Sequence, residues 1–346
     1  MLILLSKTKT VLEKVMKNQI EKAVQLLNNE EVIGLPTETV YGLAARIDSL
    51  VAIEKIFKIK ERPFFDPLIV HVANIEQAKS IVKRWPEIAG VLAEKFWPGP
   101  LTLVLLKNDK VHSMITSGLE TVALRMPRHS IAAEIIQKVN CPLAAPSANK
   151  FGKTSPTCAE HVRQEFKKED VFVVDGGQSE VGLESTILLI HSDLKNISIL
   201  REGLITRSQI QQTLDKNKII FQFIENQNQA SPGNMKHHYM PSVPFVIFQK
   251  EPNDLQKMKE IISEKMNELP NVIDEVKIIK PKKIEKLERL NLSNDPILAS
   301  REFYSELRKT AEKKPDIIFF VLTDQMSKEP WLALTDRMTK AASLSI

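Results

Sequence analysis

Residues 32–43 have the sequence VIGLPTETVYGL, in which a short apolar run passes directly into a polar turn. The apolar run ends at Pro36, and its length and β-branched residues are typical of a buried strand. The side chains of Thr37, Glu38 and Thr39 follow the end of that strand. Because loops at strand ends usually form the ligand sites of α/β proteins, this stretch predicts a sheet and a site beside it.

Similar short apolar runs recur after this stretch. They predict further strands at 68–72, 101–106, 121–124, 143–145, 171–174, 186–190 and 197–200. Apolar residues at helical spacing lie before or between these runs and predict helices at 11–28, 75–82, 131–139 and 159–166. Strands mixed with helices in this way favour an α/β domain around one twisted sheet.

The alternation of apolar runs and helical patterns is interrupted between residues 225 and 244. Residues 226–229 are polar and unpatterned, and a turn signal follows at 231–233. After Pro244 a second α/β pattern predicts strands at 245–248, 276–279 and 317–322 and helices at 253–268, 301–313 and 331–342. We therefore predict three parts: a large domain at 1–224, a linker at 225–244 and a smaller α/β domain at 245–346.

Composition excludes several classes of protein. The chain has 346 residues and a formal net charge of +5, a bias too small to indicate a nucleic-acid-binding protein. Its two cysteines, Cys141 and Cys158, provide neither a disulfide framework nor a cysteine-rich zinc site, and its histidines have no metal-ligand spacing. No apolar stretch approaches the ~20 residues that span a bilayer. We expect a cytoplasmic protein with no membrane partner and no metal site of its own.

Neither standard phosphate-binding loop is present. Gly152, Lys153 and Thr154 resemble the end of a P-loop, but that pattern requires a glycine five residues before Gly152, where the chain has Ser147. The dinucleotide pattern Gly-x-Gly-x-x-Gly is also missing from the sequence. Any ATP site in this chain would therefore use a different set of donors.

The segments in which a predicted strand ends or a turn begins contain several cations and short polar side chains. Each residue alone is more typical of a solvated surface, but the combination suits a polyanion such as a triphosphate, or an amino-acid carboxylate. The cations are Lys60, Arg62, Arg125, Arg128 and Arg201, and the short polar side chains are Ser147, Asn149, Ser155 and Ser185.

These motifs resemble the long form of the threonylcarbamoyl-AMP synthases, in which a YrdC-like catalytic domain is followed by a linker and a small domain. The resemblance rests on residues 36–43, 60–63, 97–102, 147–149, 184–187, 201–203 and, in the linker, 231–241; residues 299–301 and 336–342 match more loosely. It implies a YrdC-like twisted mixed sheet with helices and a central positively charged cavity. It also implies a C-terminal α/β domain of three layers, similar to a Rossmann fold.

The resemblance implies an activity as well. Such an enzyme, a nucleotidyltransferase, forms threonylcarbamoyl-AMP and pyrophosphate from L-threonine, bicarbonate or CO₂, and ATP with Mg²⁺. The product serves the threonylcarbamoyl modification of adenosine in tRNA, so a downstream tRNA threonylcarbamoyl transferase would be its partner. No covalent nucleophile is implied, and we therefore expect binding residues and no catalytic residue in the strict sense.

The family's binding residues can be transferred to matching positions of this chain. Arg125 would clamp the threonine carboxylate with its planar fork, and Tyr239 would close over the nucleotide as part of a lid. The implied threonine-binding residues are Thr39, His71, Arg125, Ala145 and Ser185. The implied ATP-binding residues are Lys60, Arg62, Asp66, Thr121, Ser147, Asn149, Ser155, Arg201 and Tyr239.

One departure and two alternatives stay open at this level. Asp66 stands where the family usually has asparagine, and its negative charge near phosphates is unfavourable unless a metal or a cation offsets it. The first alternative is a module that binds double-stranded RNA or nucleotides without synthase activity, which the nearly balanced charge disfavours. The second is a related carbamoyl- or adenylyl-transferring enzyme with a different acceptor. The hydrogenase-maturation proteins that share this domain carry zinc-finger and acylphosphatase-like segments, which this sequence lacks.

Overall fold

The computed structural model describes the backbone of residues 2–169, 171–225, 237–252, 254–273 and 276–346, and the side chains from residue 13 onward. The polar run 226–229 and the turn 231–233 that the sequence predicts lie outside these residues. Within the part of the chain so described, no helix combines the length and apolar character that a membrane span requires.

Helices and strands alternate irregularly through the first part of the chain. They are α1 (Leu2–Asn28), β1 (Ile33–Leu35), β2 (Gly42–Arg46), α2 (Leu50–Lys60), β3 (Ile69–His71), α3 (Ile75–Lys79), α4 (Glu87–Phe96), β4 (Leu101–Leu106), α5 (Ser113–Thr116), β5 (Thr121–Arg125), α6 (Ser130–Val139), β6 (Leu143–Ala144), α7 (Ala159–Glu165), β7 (Phe172–Val173), β8 (Thr186–Ile190), β9 (Asn196–Arg201), α8 (Arg207–Lys216) and β10 (Gln222–Phe223).

The strands form one ten-stranded mixed sheet in the order β10-β9-β8-β4-β5-β3-β6-β2-β1-β7. Pairs β3–β5, β4–β8, β1–β7 and β9–β10 are parallel, whereas β4–β5, β3–β6, β2–β6, β1–β2 and β8–β9 are antiparallel. This confirms the expected mixed sheet. The parallel register of β3 and β5 pairs His71 with Arg125, so these two residues lie side by side at the C-terminal ends of the two strands.

Side chains alternate between the two faces of this sheet. On β5, Val122 and Leu124 point into the main core together with residues of α1, α2, α4, α6 and α8, while Ala123 belongs to a smaller apolar cluster. On β3, Val70 and Ile69 divide in the same way. Because residues two apart share a face, His71 lies with Ile69 and Arg125 with Ala123, away from the helix-packed core.

The second part of the chain builds a separate sheet from β11 (Phe245–Phe248), β14 (Leu287–Arg289), β15 (Ile317–Val321) and β16 (Leu344–Ser345), in the order β14-β15-β11-β16 with all pairs parallel. Helix α9 (Leu255–Glu268) packs on one face, and α10 (Pro296–Glu312) and α11 (Leu332–Ala341) pack on the other. A hairpin of β12 (Val272–Ile273) and β13 (Val276–Lys277) and a 3₁₀ helix (Asp324–Ser327) complete it. This arrangement has the three layers that the sequence led us to expect.

The eight strands predicted at 32–35, 68–72, 101–106, 121–124, 143–145, 171–174, 186–190 and 197–200 all form, within a residue or two of their expected ends. Strand β2 was missed because its sequence, Gly-Leu-Ala-Ala-Arg, has little intrinsic strand preference and depends on pairing with β1 and β6. Helix α2 was also missed, although Ser49 caps it by accepting a hydrogen bond from Ala52 N. The division at residues 224 and 244 stays a prediction.

Candidate active site

A cavity lies beside the ends of β3 and β5, on the sheet face turned away from the main core. Its wall is formed by the turn after β1, the loop after α2, the ends of β3 and β5 and the loop after β6. The residues just before β8, the end of β9 and the segment before β11 complete it. The lining residues are Thr37, Thr39, Val40, Tyr41, Gly42, Arg62, Pro67, Ile69, His71, Arg125, Ala145, Pro146, Ser147, Glu184, Ser185, Arg201, His238 and Tyr239.

Arg125 is the centre of one half of this cavity. Its Nη1 donates to Thr39 Oγ1 at 2.7 Å, its Nε donates to the Gly99 carbonyl at 3.2 Å, and its Nη2 lies 2.7 Å from Glu38 Oε1. Both members of this ion pair are buried. Burial opposes ionisation of Glu38, but the Arg125 guanidinium outweighs it and lowers the pKa of Glu38 below its ordinary value. Arg125 is therefore held in place by a carboxylate before any ligand binds.

The turn after β1 orders the threonines beside Arg125. Thr37 Oγ1 donates to the Val40 carbonyl at 2.6 Å and lies 2.9 Å from Thr39 Oγ1, and the Thr39 amide donates to Thr37 Oγ1. These bonds replace backbone pairing in a buried loop, which would otherwise leave polar groups unsatisfied. The polar turn of residues 36–43 thus supplies two hydroxyls and one carboxylate to the same side of the cavity.

His71 faces the cavity from the end of β3 as a buried side chain. Burial, and next the nearby positive charge of Arg125, lower the pKa of His71 to about 3, so that its imidazole is neutral at pH 7. Its Nδ1 has no hydrogen-bond partner among the residues that the structure describes. His238 Nδ1 and the Tyr239 hydroxyl, also in the cavity wall, are buried in the same unpartnered state within the described chain. Buried polar atoms without partners are costly, and such a cluster indicates a ligand that completes them.

Lys60 and Arg62 lie at the end of α2, on the other side of the cavity. Lys60 Nζ donates to the Ser147 carbonyl at 2.6 Å and also to the Asn149 carbonyl. Arg62 donates from Nε to the Asp66 carbonyl at 3.0 Å and from Nη2 to the Pro67 carbonyl at 2.8 Å. Lys60 therefore joins the end of α2 to the loop that follows β6, whereas Arg62 fixes its own loop and lines the cavity.

Asp66 is paired, which changes the expected effect of its charge. Its Oδ2 lies 2.9 Å from Arg62 Nη2, and both side chains are buried. Burial raises the pKa of Asp66, and the opposing attraction of Arg62 is smaller. The sequence suggested a carboxylate that faces the nucleotide, but Asp66 lies behind Arg62 and outside the cavity lining. Arg62 thus supplies the cation that the carboxylate needs.

Ser185 and Arg201 close a third side. Arg201 donates from Nε to the Ser185 carbonyl at 3.1 Å and from Nη2 to Ser185 Oγ at 3.2 Å, and the hydroxyls of Ser185 and Thr102 are hydrogen-bonded at 2.7 Å. Gly203 permits this arrangement, because a Cβ there would lie 2.2 Å from the Thr186 amide nitrogen. The neighbouring Glu184 also lines the cavity and accepts a hydrogen bond from Ser155 Oγ at 2.6 Å.

Tyr239 lines the cavity in a strained backbone conformation. Its φ of +67° lies in the left-handed region, which is unfavourable for a bulky side chain. The conformation is held by the Thr154 hydroxyl, which donates to the Tyr239 carbonyl at 3.0 Å, and by the Met240 amide, which donates to the Gly152 carbonyl at 2.8 Å. Backbone strain of this kind persists where surrounding contacts determine the geometry, and it is common at ligand sites.

The cavity gathers all the predicted threonine-binding residues and, of the predicted ATP-binding residues, Arg62, Ser147, Arg201 and Tyr239. Lys60, Asp66, Asn149 and Ser155 are buried directly behind that wall. Thr121 is not brought to the cavity, since it begins β5, four residues from Arg125 at the other end of the strand. Arg128 lies at the surface and pairs with Glu180 at 3.0 Å.

Sequence reasoning missed five residues that the structure places in or against the wall. Glu38, Glu184 and His238 lie inside motifs that we quoted, so their polar character next to predicted site residues was an available signal. Tyr304 had no local signal, and Arg337 lay only in the loosely matching stretch 336–342; both come from the second sheet's helices and reach Glu184 across the molecule. Long-range contacts of this kind follow from packing and not from local pattern.

Two family models match the chain. One, described as Telomere recombination, matches residues 25–203, and the other, described as Threonylcarbamoyl-AMP synthase, C-terminal domain, matches residues 205–343. Threonylcarbamoyl-AMP synthase of Bacillus subtilis is 42% identical over 242 residues, 69% of each chain. That of Pyrococcus abyssi is 34% identical over 341 residues, 97% of each chain. The crystal structure of P. abyssi Sua5 complexed with L-threonine superposes with a TM-score of 0.77 at 31% identity, covering 94% of this chain and 96% of the other.

Proposed function

This chain belongs to the threonylcarbamoyl-AMP synthase family, and we propose that its cavity converts L-threonine, bicarbonate and ATP into threonylcarbamoyl-AMP and pyrophosphate. The observation that carries the proposal is the composition of a single cavity. Arg125 and His71 face it from one side, Arg62 from a second, and Ser185 and Arg201 from a third. Polar atoms that have no partner among the described residues lie in the same wall. The product would serve the threonylcarbamoyl modification of adenosine in tRNA.

Threonine would bind at the half of the cavity around Arg125. The guanidinium fork suits a carboxylate, and the Thr39 and Ser185 hydroxyls and the backbone at Ala145 offer further hydrogen bonds. His71 is neutral at pH 7 and so can accept a hydrogen bond from the amino group without repelling it. Glu38 orients Arg125 through their buried ion pair. These residues would present the threonine amine to the middle of the cavity.

ATP would bind at the half that contains Lys60, Arg62, Arg201, Ser147 and Tyr239. The cations would balance the charge of the triphosphate, and Tyr239 would cover the nucleotide. Its hydroxyl, which has no partner among the residues that the structure describes, would be available for a hydrogen bond. In the residues that the structure describes, no three His, Cys, Asp or Glu side chains come together as a metal site. Mg²⁺ would therefore be held through the phosphates, as this ion prefers, and would neutralise their charge.

The reaction requires positioning and charge stabilisation rather than a protein nucleophile. The threonine amine loses a proton and adds to CO₂, or to bicarbonate with loss of water, and gives a carbamate. A carbamate oxygen then attacks the α-phosphorus of ATP, and pyrophosphate leaves. Arg62 and Arg201 are buried cations that can stabilise the charge that develops on the phosphate oxygens. Tyr239 excludes water from a carbamate and an anhydride that both hydrolyse readily.

The alternative of a double-stranded RNA-binding module receives no support from the position of these cations. Arg62, Arg125 and Arg201 are each less than a tenth exposed, so they cannot contact the phosphates of a duplex. Location and partners stay predictions. We expect the cytoplasm, where ATP, threonine and tRNA occur, and a downstream transferase that consumes the unstable product.

Threonine binding tests the carboxylate clamp directly. Arg125→Lys keeps the charge that Glu38 requires but loses the planar fork, so the Kd for L-threonine should rise about tenfold or more. Isothermal titration calorimetry of wild-type and variant protein measures this change. Arg128→Lys, the same substitution at the surface, should leave the Kd unchanged. Equal threonine affinity in the Arg125 variant and wild type would contradict the proposed threonine site.

A further inference from the structure

Glu184 in the cavity wall is held by two side chains from the helices of the second sheet. Arg337 on α11 donates from Nε to Glu184 Oε2 at 2.8 Å. The Tyr304 hydroxyl on α10 lies 3.0 Å from Oε2 and 3.2 Å from Oε1, and Ser155 Oγ donates to Oε1 at 2.6 Å. All four side chains are buried. The Glu184 carboxylate is therefore held both by Ser155, from the first part of the chain, and by Tyr304 and Arg337, from the C-terminal helices.

Arg337 bridges two loops that carry predicted site residues. Besides contacting Glu184, it donates from Nη2 to the Glu202 carbonyl at 2.7 Å. Glu184 precedes Ser185, and Glu202 follows Arg201. Since Arg201 Nε in turn donates to the Ser185 carbonyl, one guanidinium from α11 braces both loops behind the cavity.

The loop before Glu184 is built to approach α10 closely. Gly182 has φ +75°, and a Cβ at this position would lie 2.5 Å from the carbonyl oxygen of Arg301. Only glycine allows both the conformation and the contact. Burial opposes the charge on Glu184, but Arg337 first, and then Arg201, outweigh it and lower its pKa. The interdomain contact thus ends on an ionised carboxylate.

The same two helices, α10 and α11, also contact His238 and Tyr239 in the cavity wall. The His238 amide donates to the Lys340 carbonyl at 2.9 Å, at the end of α11. The ring centroid of Tyr239 lies 5.7 Å from that of Tyr304 and 5.6 Å from the guanidinium carbon of Arg337. Tyr304 and Arg337 therefore contact both Glu184 and Tyr239. Within the described part of the chain, Arg125 and His71 make no hydrogen bond or ion pair with Tyr304 or Arg337.

We propose that Tyr304 and Arg337 are positioning residues for the synthase reaction, through which the C-terminal helices place Glu184, Arg201 and Tyr239 around the nucleotide. This inference rests on the proposed function. A buried ion pair contributes little net stability, because desolvation offsets its attraction. Its value here lies in orientation: it sets the nucleotide half of the cavity, whereas Arg125, the proposed carboxylate clamp, is held separately by Glu38.

Tyr304→Phe is the sharpest test, because it removes one hydroxyl and keeps the buried ring. We expect kcat/KM for ATP in pyrophosphate release to fall about tenfold, the size of a lost hydrogen bond to a charged group, while threonine affinity stays within about twofold. Arg337→Lys, which keeps the charge but loses the fork, should act in the same direction. Arg289→Lys on the exposed strand β14 is the matched control and should behave as wild type.

A double-mutant cycle separates positioning from general destabilisation. If Tyr304 acts through Glu184, Tyr304→Phe should have little further effect on kcat/KM for ATP in a Glu184→Gln background. Additive losses, or an equal loss of ATP and threonine binding together with a lowered melting temperature, would overturn the inference. So would a folded Tyr304→Phe variant with wild-type kinetics. Wild-type protein that releases no pyrophosphate would contradict the proposed function and this inference with it.

Discussion

At the scale of single residues, the site is built from buried charges that are already paired. Arg125 has Glu38, Arg62 has Asp66, and Arg337 has Glu184 as its partner. Arg125 and Arg62 are each held at the cavity by a carboxylate that lies behind or beside the cation, whereas Glu184 itself lines the cavity and Arg337 lies behind it. A ligand phosphate or carboxylate therefore meets donors whose positions are set in advance, which lowers the entropy that binding must offset.

Asp66→Asn tests this pairing at its most unusual position. The variant leaves Arg62 buried without a counter-charge, so the ligand-free protein should lose about 3 kcal/mol of stability, within the range for a broken buried pair. ATP supplies the missing negative charge, so its binding should raise the melting temperature of the variant more than that of wild type. Thermal unfolding with and without ATP measures both effects.

The matched control is Asp48→Asn, which breaks the largely exposed pair with Arg46 and should change neither the ligand-free stability nor the ATP-induced shift by much. A smaller ATP-induced shift in Asp66→Asn than in wild type would show that Asp66 serves to orient Arg62 for the nucleotide rather than to balance its charge.

At the scale of elements, the cavity depends on strand register and on one close approach between loop and helix. Parallel pairing of β3 with β5 sets His71 beside Arg125, and a slip by one residue would turn both into the helix-packed core. The close contact of the loop at Gly182 with α10 likewise determines which side chains of the C-terminal helices reach the cavity wall. Elements, more than individual bonds, thus determine which side chains meet.

Gly182→Ala and Gly177→Ala separate this contact from backbone conformation alone. Both glycines have nearly the same positive φ, +75° and +80°, but a Cβ at 177 meets nothing within 4 Å. Gly177→Ala should cost about 1 kcal/mol for the left-handed conformation, and Gly182→Ala about 1–3 kcal/mol more for the collision with Arg301. Urea unfolding measures the difference. Equal costs would show that the approach to α10 is not tightly determined.

At the scale of the whole molecule, helices of the second sheet support the wall of a cavity that they do not line. This long-range support is where sequence reasoning stopped. The apolar runs at 101–106 and 186–190 predicted their strands because burial on both faces leaves a strong local signal. The cations of the cavity could also be found: Arg125 and Arg201 lie at strand ends, and Arg62 lies in a quoted motif after α2. Their partners could not, because Glu184 meets Arg337 only after both sheets have formed and packed, 153 positions apart along the chain.

The central claim is that one cavity joins threonine, bicarbonate and ATP, and pyrophosphate release from the purified chain with ATP and Mg²⁺ tests it most directly. We expect release only when L-threonine and bicarbonate are both present, with threonylcarbamoyl-AMP detected by mass spectrometry. Arg62→Ala should abolish release, and Arg163→Ala, at the surface, should not. Pyrophosphate release that is indifferent to threonine, or that does not occur with all substrates present, would contradict the account.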